Sequence, residues 1–175
     1  MTRAARGGRQ AVRTVLLTLA LAAAAVARAD GDRIAMPAQV PQAYVRECAS
    51  CHLAYPPALL PAASWQRLLQ GLDRHYGSDA SLDAATVREL SAWLQAHAGT
   101  DRRVAEAPPQ DRITRAAWFE RKHRRIDPAV WKLPSVGSAA QCAACHREAA
   151  QGRFSERSLR MPAGLTPAQR QAWRD

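Results

Sequence analysis

The sequence lacks strong signals for β-strands. Valine and isoleucine are sparse, and no alternation of apolar and polar residues continues for more than a few positions. Because such alternation is the main sequence signal of a half-buried strand, folds built on β-sheets are disfavoured. The sequence predicts an all-α fold in which the helices are joined by long loops.

Long hydrophobic runs are also scarce. The run over residues 15–26 has 12 residues, whereas a helix that spans a bilayer needs about 20. It follows arginines at positions 3, 6, 9 and 13 and precedes Ala27-Arg28-Ala29, which fits the small-x-small cleavage pattern. We therefore predict a signal peptide over residues 1–29, cleaved after Ala29, and a periplasmic protein. An uncleaved membrane anchor is the alternative.

Acidic residues are fewer than basic ones. The formal charge is +10, and loss of a leader with five arginines and no acid leaves 20 − 15 = +5. This moderate excess does not indicate a nucleic-acid binder, and it fits an acidic protein partner or an anionic surface. Residues 112–125 hold six basic residues against Glu120, a local charge of 6 − 1 = +5. We predict that this segment is part of a docking surface for a partner protein.

Cysteine is rare, and its arrangement is informative. All four cysteines lie in a pattern that occurs twice, Cys48-Ala49-Ser50-Cys51-His52 and Cys142-Ala143-Ala144-Cys145-His146. Cys-x-x-Cys-His is the attachment signature of a c-type haem. The thiols bond to the haem vinyl groups, and the histidine becomes the proximal iron ligand. The sequence therefore predicts two covalent haem c groups, with His52 and His146 as proximal ligands.

Paired cysteines have three other common uses. The two pairs of a zinc ribbon are separated by roughly 15–20 residues, whereas about 90 lie between Cys51 and Cys142 here. A thioredoxin-like dithiol needs a βαβ setting, which neither pair has. Two structural disulfides would satisfy the count of cysteines. None of these uses explains why a histidine follows both second cysteines.

Capping and periodicity signals predict three main helices. They cover residues 64–77, 83–99 and about 114–127, with Ser64 and Thr114 as N-caps of the first and third. The predicted domains are a signal peptide (1–29), a first haem lobe (30–100), a second haem lobe (101–163) and a C-terminal tail (164–175).

The second axial ligand of each iron must come from the remaining histidines or from methionine. His75 lies ten residues after Trp65, and His97 lies ten residues after Val87, each at the edge of an apolar stripe. Helical spacing therefore does not choose between these two histidines.

The third candidate is His123. It shares a helix face with Phe119, but basic residues flank it on both sides. Ligation and simple solvation are both consistent with that setting. Beyond the leader, Met36 and Met161 are the available methionines.

Several further stretches give the chain a resemblance to a known family. It resembles the dihaem cytochromes c of phototrophic and other proteobacteria, which donate electrons to a small high-spin haem protein. The resemblance extends from about Pro41 to Pro162. Besides the two haem motifs, it rests on Tyr44 with Glu47, Tyr55-Pro56-Pro57, Leu60-Pro61, Ser64-Trp65, His75-Tyr76-Gly77, Asp79-Ala80, Ile113-Thr114, Trp118, Lys122-His123, Ala149 and Gly152-Arg153-Phe154.

The resemblance implies two low-spin haems with two histidine ligands each. His75 would be the distal ligand of the first haem and His123 that of the second, whereas His97 has no family role. The implied partners are the small high-spin haem protein and a b-type membrane cytochrome.

Two histidines on each iron leave no open coordination position. We therefore expect an electron carrier without enzymatic activity or a small-molecule substrate. The alternative is a small dihaem peroxidase or reductase with one open iron or one ligated by Met161. A gas-binding sensor would also need an open iron, and it would normally carry an output domain.

Overall fold

The computed structural model describes residues 33–171 and residue 173. The predicted signal peptide and its cleavage site lie outside these residues. The described residues form α-helices, short 3-10 turns and isolated β-bridges but no strands, which confirms the all-α prediction. Every helix among the described residues is too short or too polar to span a lipid bilayer.

The helices are short and widely spaced along the chain. They are α1 (Gln42–Cys48), α2 (Ala62–Gln70), α3 (Ala84–His97), α4 (Ala117–His123) and α5 (Pro167–Gln171). Many of the intervening stretches form 3-10 turns, and those at Pro57–Leu59, Pro109–Asp111 and Pro128–Lys132 begin at a proline. Proline suits a first turn because its φ is fixed and it has no N–H to satisfy.

The start of α3 confirms the predicted helix start near residue 83, and the start of α2 corrects a capping prediction. The Asp83 carboxylate accepts hydrogen bonds from the backbone N–H groups of Ala85 and Thr86, as an N-cap does. Ser64, however, lies inside α2, because the helix begins after Pro61. The Ser64 side chain is fully buried at 0% exposure, and its hydroxyl accepts a hydrogen bond from Arg67.

The third predicted helix is shorter than expected. Residues Ile113–Arg115 form a separate 3-10 turn, and α4 begins only after Ala116, whose backbone is extended. Thr114 is therefore not its N-cap. The helix ends at His123, which places this histidine in the last turn, three residues before Ile126.

The main hydrophobic core lies where α2 packs against α3. Its buried residues are Ala43, Tyr44, Leu60, Trp65, Leu90 and Leu94. Leu90 and Leu94 are four positions apart and so face the same side of α3. Buried polar groups here are paired: the Tyr44 hydroxyl donates to the Tyr55 carbonyl at 2.6 Å, and the Trp65 indole donates to the Pro57 carbonyl at 2.7 Å. This core supports the loops that carry His52 and His75.

A smaller apolar cluster lies in the C-terminal half. It consists of Val130, Val136 and Leu165, with partly buried residues such as Ile126 and Trp131 packed around them. Such a small cluster buries little apolar surface. The stability of this half therefore depends more on any large apolar group that it encloses.

Candidate haem sites

The first site brings the rings of His52 and His75 close together. Their ring centroids are 6.2 Å apart, and their planes are inclined at 30°. An iron between two imidazoles needs two metal–nitrogen bonds of about 2 Å plus about 1.1 Å from each nitrogen to its ring centre, roughly 6.2 Å in all. The separation therefore suits an iron bound by both rings.

Local contacts hold the His52 ring in place. Its Nδ1 lies 2.6 Å from the Leu53 carbonyl, and the ring stacks on Tyr55 with centroids 4.7 Å apart. A hydrogen bond at Nδ1 fixes the tautomer and leaves Nε2 free for a metal. These contacts restrain the His52 ring and leave its Nε2 available to a metal.

His75 follows the 3-10 turn Leu72–Arg74 beyond the end of α2. Its Nδ1 is buried, and no residue in the described chain hydrogen-bonds to it. Burial lowers the pKa of this histidine, and the nearby His52 and Arg112 lower it further. These effects favour the neutral ring, which is the form that binds a metal.

His97 is placed differently, at the end of α3. Its ring is exposed, with Nδ1 2.8 Å from the Trp93 carbonyl and its centroid 5.2 Å from that of Trp93. The structure thus brings His75 to His52, while His97 contacts its own helix.

The second site pairs His146 with His123. Their centroids are also 6.2 Å apart, but the planes are nearly perpendicular at 79°. The Phe119 carbonyl lies 2.9 Å from Nδ1 of His123, and the Phe119 ring stacks on it at 4.0 Å. Burial lowers the pKa of His123, the bond to Phe119 raises it, and Lys122 lowers it. On the other side, Phe154 contacts His146 edge-on at 5.5 Å.

The cysteines do not have the properties of a redox dithiol or a zinc site. No disulfide joins any of the four cysteines in the described structure. Burial raises the pKa of Cys48 and of Cys142 to about 11, whereas a redox-active thiol needs a lowered pKa. No three His, Cys, Asp or Glu side chains among the described residues are grouped to hold a metal. A structural zinc site, which needs four such ligands, is therefore not supported.

The two haem motifs are neighbours in the fold. The Tyr55 hydroxyl donates to the Ala140 carbonyl at 2.7 Å, and the Gln141 side chain contacts the Cys51 carbonyl at 3.5 Å. Tyr55 therefore contacts His52 through its ring and the residues just before the second haem motif through its hydroxyl. The sequence shows Tyr55-Pro56-Pro57, but it gives no sign of this bridge.

One more buried group fits a bound cofactor. Trp118 Nε1 is buried and has no hydrogen-bond partner in the described part of the chain. A buried indole N–H normally finds a partner. Together with the Nδ1 atom of His75, this donor indicates that the structure is shaped around groups that the polypeptide does not supply.

A concave basic surface lies beside the second site. Arg121, Lys122, Arg124, Arg125 and Glu156 line a depression of about 330 Å³. Glu156 lies 3.6 Å from Lys122. The described structure gives no ion pair for the three arginines of this surface.

Comparisons with known proteins agree with the geometry. A dihaem cytochrome c family model matches residues 44–154. A dihaem cytochrome c structure from Rhodobacter sphaeroides is 36% identical with a TM-score of 0.59, and the alignment covers 69% of this chain and all of the other. For one from Shewanella baltica, the identity is 37%, the TM-score is 0.59, and the coverage is 69% and 93%. No curated protein matches. The chain therefore belongs to the dihaem cytochrome c family, and it binds two iron-containing haem c groups in an electron-carrying role.

Proposed function

We propose that the protein carries single electrons in the periplasm through two haems, each held between two histidines. His52 and His75 would bind the first iron, and His146 and His123 the second. The observation that carries this proposal is the separation of 6.2 Å within both ring pairs. The thioether bonds would come from Cys48 and Cys51 at the first site and from Cys142 and Cys145 at the second.

Haem c supplies a one-electron couple between ferric and ferrous iron. The chain's task is then to hold the iron in one coordination state during the exchange. With His75 and His123 as second ligands, neither iron would keep an open position for oxygen, peroxide or a substrate. Two imidazoles also favour a lower potential than a histidine–methionine pair.

The peroxidase or reductase alternative receives less support. It needs an open iron or one ligated by Met161, and the Met161 side chain is 44% exposed. Met36 packs against the main core. Neither methionine side chain is therefore placed as well as His75 and His123 to bind an iron.

The basic surface supports a proposal for the partner. Arg121, Arg124 and Arg125 surround His123 in the sequence and line one depression. Positive charge near a haem edge would guide an acidic redox protein into a short-lived complex. A small high-spin haem protein and a b-type membrane cytochrome are the partner classes that we propose.

The proposed location follows from the leader and from the chemistry, because c-type haem is attached outside the bacterial cytoplasm. N-terminal sequencing of periplasmic protein should begin at Asp30. The intact leader on membrane-bound protein would contradict this proposal.

Histidine variants and spectroscopy test the ligation. The wild-type protein should be entirely low-spin and should not bind carbon monoxide when reduced. H75A and H123A should each open one haem to carbon monoxide, whereas the control variant H97A should behave as wild type. An effect of H97A at the first haem, with none from H75A, would overturn the assignment.

A further inference from the structure

A strained segment crosses beside the first haem site. Gln110 and Asp111 both have positive φ, at 58° and 55°, although this conformation is uncommon for residues other than glycine. Tyr76, the neighbour of His75, also has a positive φ of 52°. Such a backbone persists only where surrounding contacts hold it.

Two contacts fasten this segment to the first half of the chain. Arg67 donates two hydrogen bonds to the Asp111 carboxylate, at 2.9 and 2.6 Å. The Tyr76 hydroxyl donates to the Gln110 carbonyl at 2.8 Å. Together they fix the position of the next residue, Arg112.

Arg112 lies over the ring that adjoins the distal histidine. Its guanidinium carbon is 3.8 Å from the centroid of the Tyr76 ring, which lies 4.8 Å from the centroid of His75. The guanidinium is therefore at most 3.8 + 4.8 = 8.6 Å from the His75 ring. The nearest acid in sequence, Asp111, is already paired with Arg67, and the described structure records no ion pair for Arg112.

A fixed cation at this distance acts on the redox balance. Ferric haem carries one more positive charge than ferrous haem, so a nearby positive charge disfavours the oxidised state. Charges about 10 Å apart at a protein surface still interact appreciably. The cation therefore favours reduction of the haem beside it.

We propose that the positive charge of Arg112 raises the reduction potential of the first haem. Tyr76 and the Arg67–Asp111 pair hold Arg112 in place. The inference rests on the proposed function, because it takes His75 as the distal ligand of that haem. It makes the first haem easier to reduce than that haem would be without Arg112.

Redox titration of the holoprotein tests this role. The first haem is identified as the low-spin EPR signal that H75A removes. R112Q and R112M both remove the charge, whereas R112K keeps it. R74Q is the matched control, because Arg74 directly precedes His75 in the sequence but its side chain is 82% exposed.

At a fixed ambient potential, the ratio of reduced to oxidised first haem should fall about threefold or more in R112Q and R112M. It should stay within about twofold of wild type in R112K and R74Q, where the charge is kept or is screened by solvent. The second haem should not change in any of them.

The outcomes separate the two proposals. A wild-type spectrum in which H75A removes no low-spin signal overturns the proposed ligation itself. A low-spin haem whose potential is the same with and without the Arg112 charge overturns the role of Arg112 alone. An equal fall in R112K and R112Q would show that Arg112 acts through structure and not through charge, which also overturns the inference.

Discussion

Replacing Gly152 by alanine tests how the N-terminal segment is fastened to the second haem region. Gly152 has a φ of +69°, and a Cβ there would lie 2.2 Å from the Ile34 carbonyl oxygen. That backbone cannot move freely, because the Ile34 N–H donates to the Gly152 carbonyl at 2.8 Å. Two residues further on, Phe154 contacts His146.

Three costs add in G152A. A left-handed alanine costs about 1–2 kcal/mol. Moving the Ile34 carbonyl away breaks or bends a hydrogen bond worth about 1 kcal/mol, and the added methyl overpacks the site by a further 1 kcal/mol or so. We therefore expect the free energy of unfolding to fall by about 3–4 kcal/mol.

Gly137 provides the matched control. Its φ is also positive, at +80°, but a Cβ there meets only a side-chain atom of Gln141 at 4.0 Å. G137A should therefore cost about 1–2 kcal/mol, from the backbone alone. Denaturation of both holoproteins, followed by far-ultraviolet circular dichroism, measures the difference. Equal losses in the two variants would refute the close approach of Ile34 to Gly152.

Three other changes probe the core, an ion pair and the basic surface. L90A should lower the free energy of unfolding by about 2–5 kcal/mol, because Leu90 is fully buried; a loss below 1 kcal/mol in a denaturation curve would contradict this packing. The hydrogen bond from Arg67 lowers the pKa of Asp111. The difference in free energy of unfolding between wild type and D111N should therefore be at its full size at pH 7 and should disappear as the pH falls through that lowered pKa. A difference that grows in acid would be inconsistent with this sign. The double variant R121E/R125E should slow electron delivery at low salt and approach wild type as ionic strength rises; an unchanged rate at low salt would place the docking surface elsewhere.

The sequence predicted the chemistry of the sites better than their surroundings. The two haem motifs are local patterns, so they could be read without a fold. The choice between His75 and His97 could not be made from spacing, because both lie ten residues after an apolar reference position. In the structure, α2 ends at Gln70 and a tight turn carries His75 towards His52, whereas His97 remains on a regular helix.

The helix boundaries and the long-range contacts were harder to predict. Ser64 and Thr114 are good capping residues, but Pro61 starts α2 earlier and a 3-10 turn delays α4. The contact of Tyr55 with Ala140 joins residues 85 positions apart, and no local pattern encodes such a pairing. The same holds for the position of Arg112 over Tyr76.

The central claim, two histidine ligands on each iron, is tested most directly by the EPR spectrum of the oxidised protein. We predict two low-spin ferric signals and no high-spin signal. The ring planes are inclined at 30° in the first pair and 79° in the second, so the second haem should give the more anisotropic signal. H75A should remove only the first low-spin signal, and H123A only the second. A high-spin signal in the wild-type protein, or two low-spin signals that both survive H75A, would contradict the claim.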